Sequence, residues 1–302
     1  MLSDVFYWVF NMSVSAAIVG SVILLFGKIK RIPRGIICVL MLIPFLRMWF
    51  PFGMGSKYSL MSLISKVTTK TVVIFDGRIP FSAMNFTMAA NSYFPIIYKT
   101  NILENVFQIA AIIWLIIAAS LLIAMLIIYT VTKSELRDAR LLRDNIYVSD
   151  KITSPAVYGI FREKMIVPSG YDENDLKFIL MHENVHIRRK DNLWRVFAII
   201  TVCIHWFNPL AWLILKSFLE NLEFACDEAV LKKCSESEKK DYATTLLNCA
   251  ESKNLYVSAF GGAKLRVRIE RIISYKKLSA LSITAFVIFA VAVAYTLLTN
   301  AT

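Results

Sequence analysis

The sequence has few histidines, no paired cysteine motif and no basic leader, and each lack narrows what the chain can be. Its 302 residues contain only three histidines, His182, His186 and His205, so a closely spaced pair is not expected by chance. The five cysteines form no C-x-x-C pair, and most fall in a region that we place in the cytoplasm, where free thiols are expected. Residues 1–7 carry Asp4 but no Lys or Arg, so a cleaved signal peptide is not expected.

Charged residues are also missing from long apolar runs. Three such runs are each long enough to cross the hydrocarbon core as a helix: residues 8–26, 106–131 and 278–298. A fourth run, residues 35–52, is interrupted by Arg47, whose long side chain we expect to reach the outer membrane interface. The hydrophobic share of 57% exceeds the roughly 45–50% of soluble domains. The composition therefore predicts an integral membrane protein with four transmembrane helices.

Acidic residues are the minority, 22 against 34 basic ones, and the basic residues cluster beside the apolar runs. By the positive-inside rule, the clusters at residues 28–34 and 133–143 mark cytoplasmic ends. We therefore predict a multi-pass protein of the bacterial cell membrane with both termini outside and the region after residue 131 inside. Because membrane topology accounts for the net charge of +12, direct nucleic-acid binding is not expected.

This topology divides the chain into three parts. Residues 1–131 hold three transmembrane helices and an external loop at 53–105. Residues 132–277 form a cytoplasmic domain, and residues 278–302 hold the fourth transmembrane helix. The predicted fold is thus mainly α and membrane-integral, with the chemistry confined to the cytoplasmic part.

The cytoplasmic part has its own predicted order. β-Branched residues and turn signals predict a small β-hairpin from strands at 145–148 and 156–167. Residues 193–219 are apolar but broken at Asn208-Pro209, which predicts a broken pair of membrane-associated helices. Residues 252–277 are predicted to form a basic connector to the last span.

Residues 182–186 read His-Glu-Asn-Val-His, an H-E-x-x-H motif within helical spacing. Two histidines four residues apart share one helix face, so both imidazoles can reach one Zn²⁺. Glu183 follows His182 and lies near the metal without binding it, which suits a general base for zinc-activated water. A structural zinc site or an accidental match is the alternative interpretation.

A catalytic zinc site needs a third protein ligand. Glu223 is favoured because Asp227 follows four residues later on the same face. One carboxylate can then bind zinc while the other accepts the free N–H of a ligand histidine. His205 is a second candidate, although an imidazole in an apolar stretch more often packs. The plain alternative is that Glu220, Glu223, Asp227 and Glu228 form a solvated acidic face.

Four stretches together resemble the membrane metallopeptidases of the BlaR/MecR type, which are bacterial β-lactam sensor-transducers and antirepressors. They are residues 154–160, 182–191, 206–209 and 223–230. The resemblance covers the whole length and implies a gluzincin-like zinc peptidase domain. It implies that His182, His186 and Glu223 bind Zn²⁺, that Glu183 is the catalytic base and that Asp227 orients a ligand.

The resemblance also implies substrates and partners. It implies self-cleavage around Ser258, Ala259, Phe260 and Gly261, and proteolysis of a cognate repressor that induces resistance-type genes. Family members that sense β-lactams carry an extracellular penicillin-binding domain after the last span. Either this sequence is a piece of a longer protein or it is a sensorless member, so we do not expect β-lactam sensing from these residues. Membrane lipid, a second copy of the chain and a separate sensor protein complete the expected partners.

Two other functions compete with this one. A non-catalytic transducer would use zinc only to stabilise its fold, and a closed shell of four protein ligands would identify it. An intramembrane or prenyl-protein zinc protease would need other features. A site-2-type protease places a later Asp-Gly motif on the metal, but Asp76-Gly77 precedes the H-E-x-x-H helix, and a prenyl-protein protease would need more spans.

Overall fold

The computed structural model describes residues 1–29, 32–50, 58, 102–152, 154–251, 265–276 and 279–298. Most of the external loop 53–105 and the predicted self-cleavage residues Ser258 to Gly261 lie outside the described residues. Within the described residues the chain forms nine α-helices and four short strands. The helices are α1 (Leu2–Gly27), α2 (Arg34–Trp49), α3 (Ile102–Glu135), α4 (Glu173–Arg189), α5 (Asp191–Ile204), α6 (Pro209–Leu231), α7 (Glu236–Glu251), α8 (Leu265–Ile273) and α9 (Ala280–Leu298).

The strands form one sheet between α3 and α4. They are β1 (Arg140–Arg143), β2 (Ile146–Val148), β3 (Ala156–Tyr158) and β4 (Lys164–Val167), in the order β1-β2-β4-β3. The β2–β4 pair is parallel and the outer pairs are antiparallel. The sheet therefore has four strands, two more than the predicted β-hairpin. The predicted strand 156–167 is split because the chain turns at Gly159, where φ is 97° and a Cβ would lie 2.4 Å from the Arg162 carbonyl oxygen.

An apolar bundle of α1, α2, α5, α6 and α9 forms the largest core. Helices α1 and α6 approach closely at Gly20, where a Cβ would lie 2.1 Å from Cδ1 of Ile214. Helix α2 is enclosed by its neighbours, and Ile37, Leu40 and Phe45 are almost fully buried. A separate cluster joins α4, α6, α7 and α8 beneath the polar centre described below.

Two of the four predicted spans, α1 and α3, are long and apolar enough to cross a membrane. Helix α9 is apolar but shorter, and α2 has only 16 residues. The prediction for Arg47 was wrong, because this side chain is only 4% exposed and its Nε donates to the Ser15 hydroxyl at 3.0 Å. Packing of α2 against α1 gives the guanidinium a polar partner inside the bundle rather than at an interface.

The break predicted at Asn208-Pro209 is present. Helix α5 ends at Ile204, and α6 begins at Pro209 with the Asn208 side chain accepting a hydrogen bond from the Leu210 amide at 3.0 Å. Helix α6 then continues without interruption to Leu231, beyond the predicted end of the apolar pair. The predicted connector also differs, because residues 265–273 within it form α8.

Candidate metal centre

Helix α4 places the H-E-x-x-H residues in the protein interior. The Asp172 side chain caps its start by accepting from the Asp175 amide at 2.7 Å, and the helix ends at Lys190 in a left-handed conformation. His182 and His186 are buried one turn apart, and their Nε2 atoms are 3.3 Å from each other. Glu183 is also buried, so the H-E-x-x-H motif faces the core rather than solvent.

Helix α6 brings Glu223 to the two histidines. One carboxylate oxygen of Glu223 is 3.6 Å from Nε2 of His182, and the other is 3.7 Å from Nε2 of His186. These three residues form one of the two metal-capable groups in the described part of the chain. His205 belongs to neither group and lies beyond the far end of α5, beside Phe207.

The spacing of the donor atoms fits zinc. Ligand atoms about 2.1 Å from a tetrahedral ion lie about 3.4 Å from one another. The observed separations among His182, His186 and Glu223 are 3.3, 3.6 and 3.7 Å. Two imidazole nitrogens and a carboxylate are also the donors of many catalytic zinc sites. The three residues therefore suit three of the four ligand positions of a tetrahedral zinc ion.

His186 is oriented by Asp191, a residue whose role was not anticipated from the sequence. Nδ1 of His186 lies 2.7 Å from a carboxylate oxygen of Asp191, which is 1% exposed. The left-handed Lys190 lets α5 begin directly after α4, and this sharp turn returns Asp191 to the helix that it follows. The carboxylate must accept the Nδ1 proton, so Nε2 of His186 keeps a free lone pair for a metal.

His182 is oriented by a two-residue relay. Tyr242 of α7 donates its hydroxyl proton to Asp227 at 2.6 Å and lies 2.9 Å from Nδ1 of His182. Burial and the Asp227 charge raise the pKa of Tyr242 well above its usual value, which keeps the hydroxyl protonated. The hydroxyl therefore accepts from His182, and Nε2 of this histidine is left without a proton, facing the Arg268 guanidinium at 3.5 Å. Asp227 itself lies 3.5 Å from Nδ1 of His182, so the orienting role predicted for it would act chiefly through the Tyr242 hydroxyl.

Two arginines surround the carboxylates, and neither role was anticipated from the sequence. Arg268 of α8 makes two bonds to Asp227, at 2.7 and 2.9 Å, and lies 3.3 Å from Glu223. Arg195 of α5 donates to Glu223 at 2.6 Å. Burial alone would raise the pKa of Glu223, but hydrogen bonding and charge from the histidines when they carry a proton, together with the charges of both arginines, outweigh it and hold this pKa well below its usual value. Glu223 is therefore ionised, as a ligand must be.

The second metal-capable group contains Cys226, His186 and Asp191. The Cys226 sulfur lies 3.3 Å from Nδ1 of His186 and 3.5 Å from Asp191. Burial raises the pKa of the Cys226 thiol well above its usual value, and the Asp191 and Glu223 charges add to this. A metal needs a thiolate, and Nδ1 of His186 is already engaged, so this group suits packing better than metal binding.

The edge strand β3 is attached to the same structure. The Asn192 side chain donates to the carbonyl oxygens of Val157 at 2.8 Å and Gly159 at 3.1 Å. Asn192 follows Asp191 directly. Two neighbouring residues at the start of α5 therefore contact His186 and the edge strand, respectively. An edge strand of this kind can bind an extended peptide backbone through its free main-chain groups. Asn192 therefore occupies one carbonyl of β3, that of Val157, and one just beyond its end, that of Gly159.

Comparison with known proteins gives a family match over most of the chain. The sequence model of the family described as BlaR1 peptidase M56 matches residues 7–272. This range includes the H-E-x-x-H helix, Glu223, Asp227 and Arg268. The resemblance drawn from the four sequence stretches is thereby confirmed.

Individual relatives match over shorter regions. The Regulatory protein BlaR1 of Bacillus licheniformis is 30% identical over 143 residues, which are 44% of this chain and 24% of that protein. The Methicillin resistance mecR1 protein of Staphylococcus aureus (strain Mu50) is 26% identical over 118 residues, 37% of this chain and 20% of its own length. Regulatory protein BlaR1 of Staphylococcus aureus is 25% identical over 138 residues, 43% and 23% respectively. The match thus spans between a fifth and a quarter of each relative.

Proposed function

This chain belongs to the BlaR1 peptidase M56 family, a family of metallopeptidases, and from that premise we propose that it is a zinc-dependent endopeptidase of bacterial membrane signalling. One observation carries the proposal. The lone pairs of His182 and His186 converge with the Glu223 carboxylate at the spacing of a tetrahedral ion, and Glu183 lies buried beside them.

Each residue then has a defined task in peptide hydrolysis. Zinc bound by His182, His186 and Glu223 would supply Lewis acidity toward a carbonyl and an activated water. Glu183 accepts the proton of the attacking water and passes it to the leaving amine. Asp191 and Tyr242 hold the two imidazoles in the tautomer that leaves Nε2 free.

The proposed substrates are the chain itself and a cognate transcriptional repressor. Self-cleavage is supported by connectivity. Residues 252–264, which include Ser258 to Gly261, join α7 to α8, and both helices contribute a side chain to the metal centre, Tyr242 and Arg268. Proteolysis of a repressor is supported by the relatives, two of which are named as regulatory proteins and one as a methicillin resistance protein.

The decisive experiment replaces Glu183 by Gln in the full chain. The wild type and Glu183→Gln are expressed in a bacterial membrane together with a candidate repressor from the same genome. We expect Glu183→Gln to keep its zinc, measured by elemental analysis, because no ligand changes. Cleavage of the chain and of the repressor should fall by about 10²–10⁴-fold, followed by immunoblot. Unchanged cleavage in a zinc-loaded variant would reject the mechanism.

A non-catalytic transducer with structural zinc remains the second candidate. It would need a fourth protein ligand; Cys226 is fully buried in contact with His186, but its sulfur lies on the Nδ1 side of that ring, so it could close the shell only by moving. X-ray absorption spectroscopy of the zinc-loaded chain distinguishes the two. A catalytic site should show nitrogen and oxygen neighbours only, whereas a sulfur neighbour near 2.3 Å would support the structural role.

A further inference from the structure

A groove of about 660 Å³ lies outside the metal centre. Helices α1, α2, α6 and α8 form it, and its volume is in the range of small-molecule sites. The lining does not include His182, His186 or Glu223. The groove is therefore a separate feature of the fold, and the proposed hydrolysis does not use it.

The lining of the groove is apolar in one part and polar in the other. Helices α1 and α6 run side by side in the same direction, because Ser13 contacts Asn208 and Gly20 faces Ile214. Leu25 and Leu213 line the groove and are largely exposed, at 62% and 54%. Lys28 follows Leu25 by less than one turn. An apolar, open part of the groove thus passes into a polar part at the end of α1.

The polar part carries an excess of positive charge. Lys28, Arg34 and Arg271 line it, against Glu220 as the acidic residue in the lining. Arg34 is almost fully buried and donates to the Gly27 carbonyl at 2.6 Å, yet its Nε has no partner among the described residues. The charge of Arg271 disfavours that of Arg34, while Glu228 attracts both arginines and Asp227 also attracts Arg271. Such a surface attracts an anion.

We propose that this groove binds an anionic phospholipid, with its phosphate at Lys28 and Arg271 and an acyl chain along Leu25 and Leu213. The inference rests on the membrane location in the proposed function and on the topology predicted from the sequence, in which the basic cluster at residues 28–34 lies at the cytoplasmic leaflet. Basic pockets between helices on that side suit anionic headgroups, and exposed leucines suit an acyl chain. A soluble phosphate compound would leave the leucines uncovered.

The lipid would touch two of the helices that carry polar residues of the metal centre, α6 and α8. On α6, Phe224 lines the groove and follows Glu223 directly. On α8, Val267 and Arg271 line the groove on either side of Arg268, which holds Asp227. Arg271 also lies 4.4 Å above the Phe224 ring, so the two helices meet inside the groove. A bound lipid would therefore steady the position of α8 against α6.

Native mass spectrometry of the purified full chain in detergent provides the test. The Glu183→Gln chain is used so that self-cleavage does not interfere, and hydrolysis is measured separately on the wild type. Phosphatidylglycerol and phosphatidylcholine with identical acyl chains are titrated in parallel. We expect tighter retention of phosphatidylglycerol by at least about tenfold. In the double variant Lys28→Gln/Arg271→Gln, affinity for phosphatidylglycerol should fall about 30-fold.

The control is Lys233→Gln/Lys240→Gln, which removes two exposed lysines that do not line the groove. It should bind phosphatidylglycerol within about twofold of the parent, and zinc content confirms that each variant is folded. Equal loss in both double variants, or equal retention of both lipids, overturns the proposal. Competition by glycerol 3-phosphate at equal concentration would assign the groove to a soluble phosphate instead. A failure here leaves the hydrolysis result unaffected.

Discussion

The two halves of α6 are held in place by different interactions. In the first half, residues 209–219, the buried side chains are apolar, and Ile214 and Phe218 pack into the helix bundle. In the second half, residues 220–231, Glu223 and Asp227 are in contact with charged or hydroxyl groups from three other helices. One continuous helix therefore joins an apolar core to a buried polar network.

The two halves of α6 should differ in how well they tolerate amino-acid substitutions. Apolar packing is non-directional, so a bundle accepts other side chains of similar volume at modest cost. A buried polar network depends on distances and donor directions, and an unpaired member is costly. Mutations in the first half of α6 should therefore change stability, whereas mutations around the second half should change zinc affinity. Four predictions test this division.

The largest effect is expected from Phe218→Ala in the apolar half. Phe218 is 1% exposed and packs edge-on against Phe45 of α2 at 5.6 Å between ring centroids. Removing the ring leaves a cavity and should lower the free energy of unfolding by about 3–5 kcal/mol. Thermal unfolding in detergent measures the loss, with Phe161→Ala, at a position 91% exposed, as the control. The zinc affinity of the folded variant should change by less than about threefold. A larger change would show that the apolar half of α6 also affects zinc binding.

The next effect is expected from Glu223→Ala in the polar half. This change removes a proposed ligand and leaves Arg195 and Arg268 without that carboxylate. Zinc affinity should fall by more than about 100-fold, beyond the usual effect of residues that only orient ligands. Competition with a fluorescent chelator measures it. Glu220→Ala, on the same helix and outside the metal-capable groups, should keep zinc binding, and an equal loss there would show that helix charge alone matters.

The sequence predicted the parts of this centre that follow a fixed local spacing. His182 and His186 share one helix face, and Glu223 and Asp227 share another, because helical geometry places side chains four residues apart one above the other. Asp191, Arg195, Tyr242 and Arg268 come from α5, α7 and α8. Spacing along the chain says nothing about which of these side chains turn inward. The one available signal was the Asp directly after the H-E-x-x-H helix.

The fold shows the same limit. Uncharged runs predicted α1, α3 and α9 because hydrophobicity is a property of the segment itself. The environment of α2 depends on what packs around it, so the buried Arg47 was misjudged. Helix α8 was taken for connector because its nine residues, rich in arginine, show no apolar run; burial of Arg268 against Asp227 ties it to the protein.

A smaller effect is expected from Asp191→Asn, which tests how far orientation matters within the polar half. An amide can still accept the Nδ1 proton of His186, but it lacks the negative charge that makes the imidazole a stronger ligand. Zinc affinity should fall by about 10–100-fold. The same chelator competition measures it, with Asp241→Asn, an exposed site on α7, as the matched change. If Asp191→Asn binds zinc as tightly as the parent, the hydrogen bond has no role in holding the metal.

The smallest effect is expected from Tyr242→Phe, which removes one hydroxyl from the relay between Asp227 and His182. The ring remains to pack against Phe178, and Asp227 keeps both bonds from Arg268, so the loss is limited to the orientation of His182. Zinc affinity should fall by about three- to tenfold, the equivalent of one hydrogen bond of about 1 kcal/mol.

Combining Tyr242→Phe with Phe218→Ala completes the comparison. If the two halves of α6 are independent, the effects on zinc affinity and on stability will add, since the sites share no partner. A coupling above about 0.5 kcal/mol would show that the apolar half transmits strain to the metal centre.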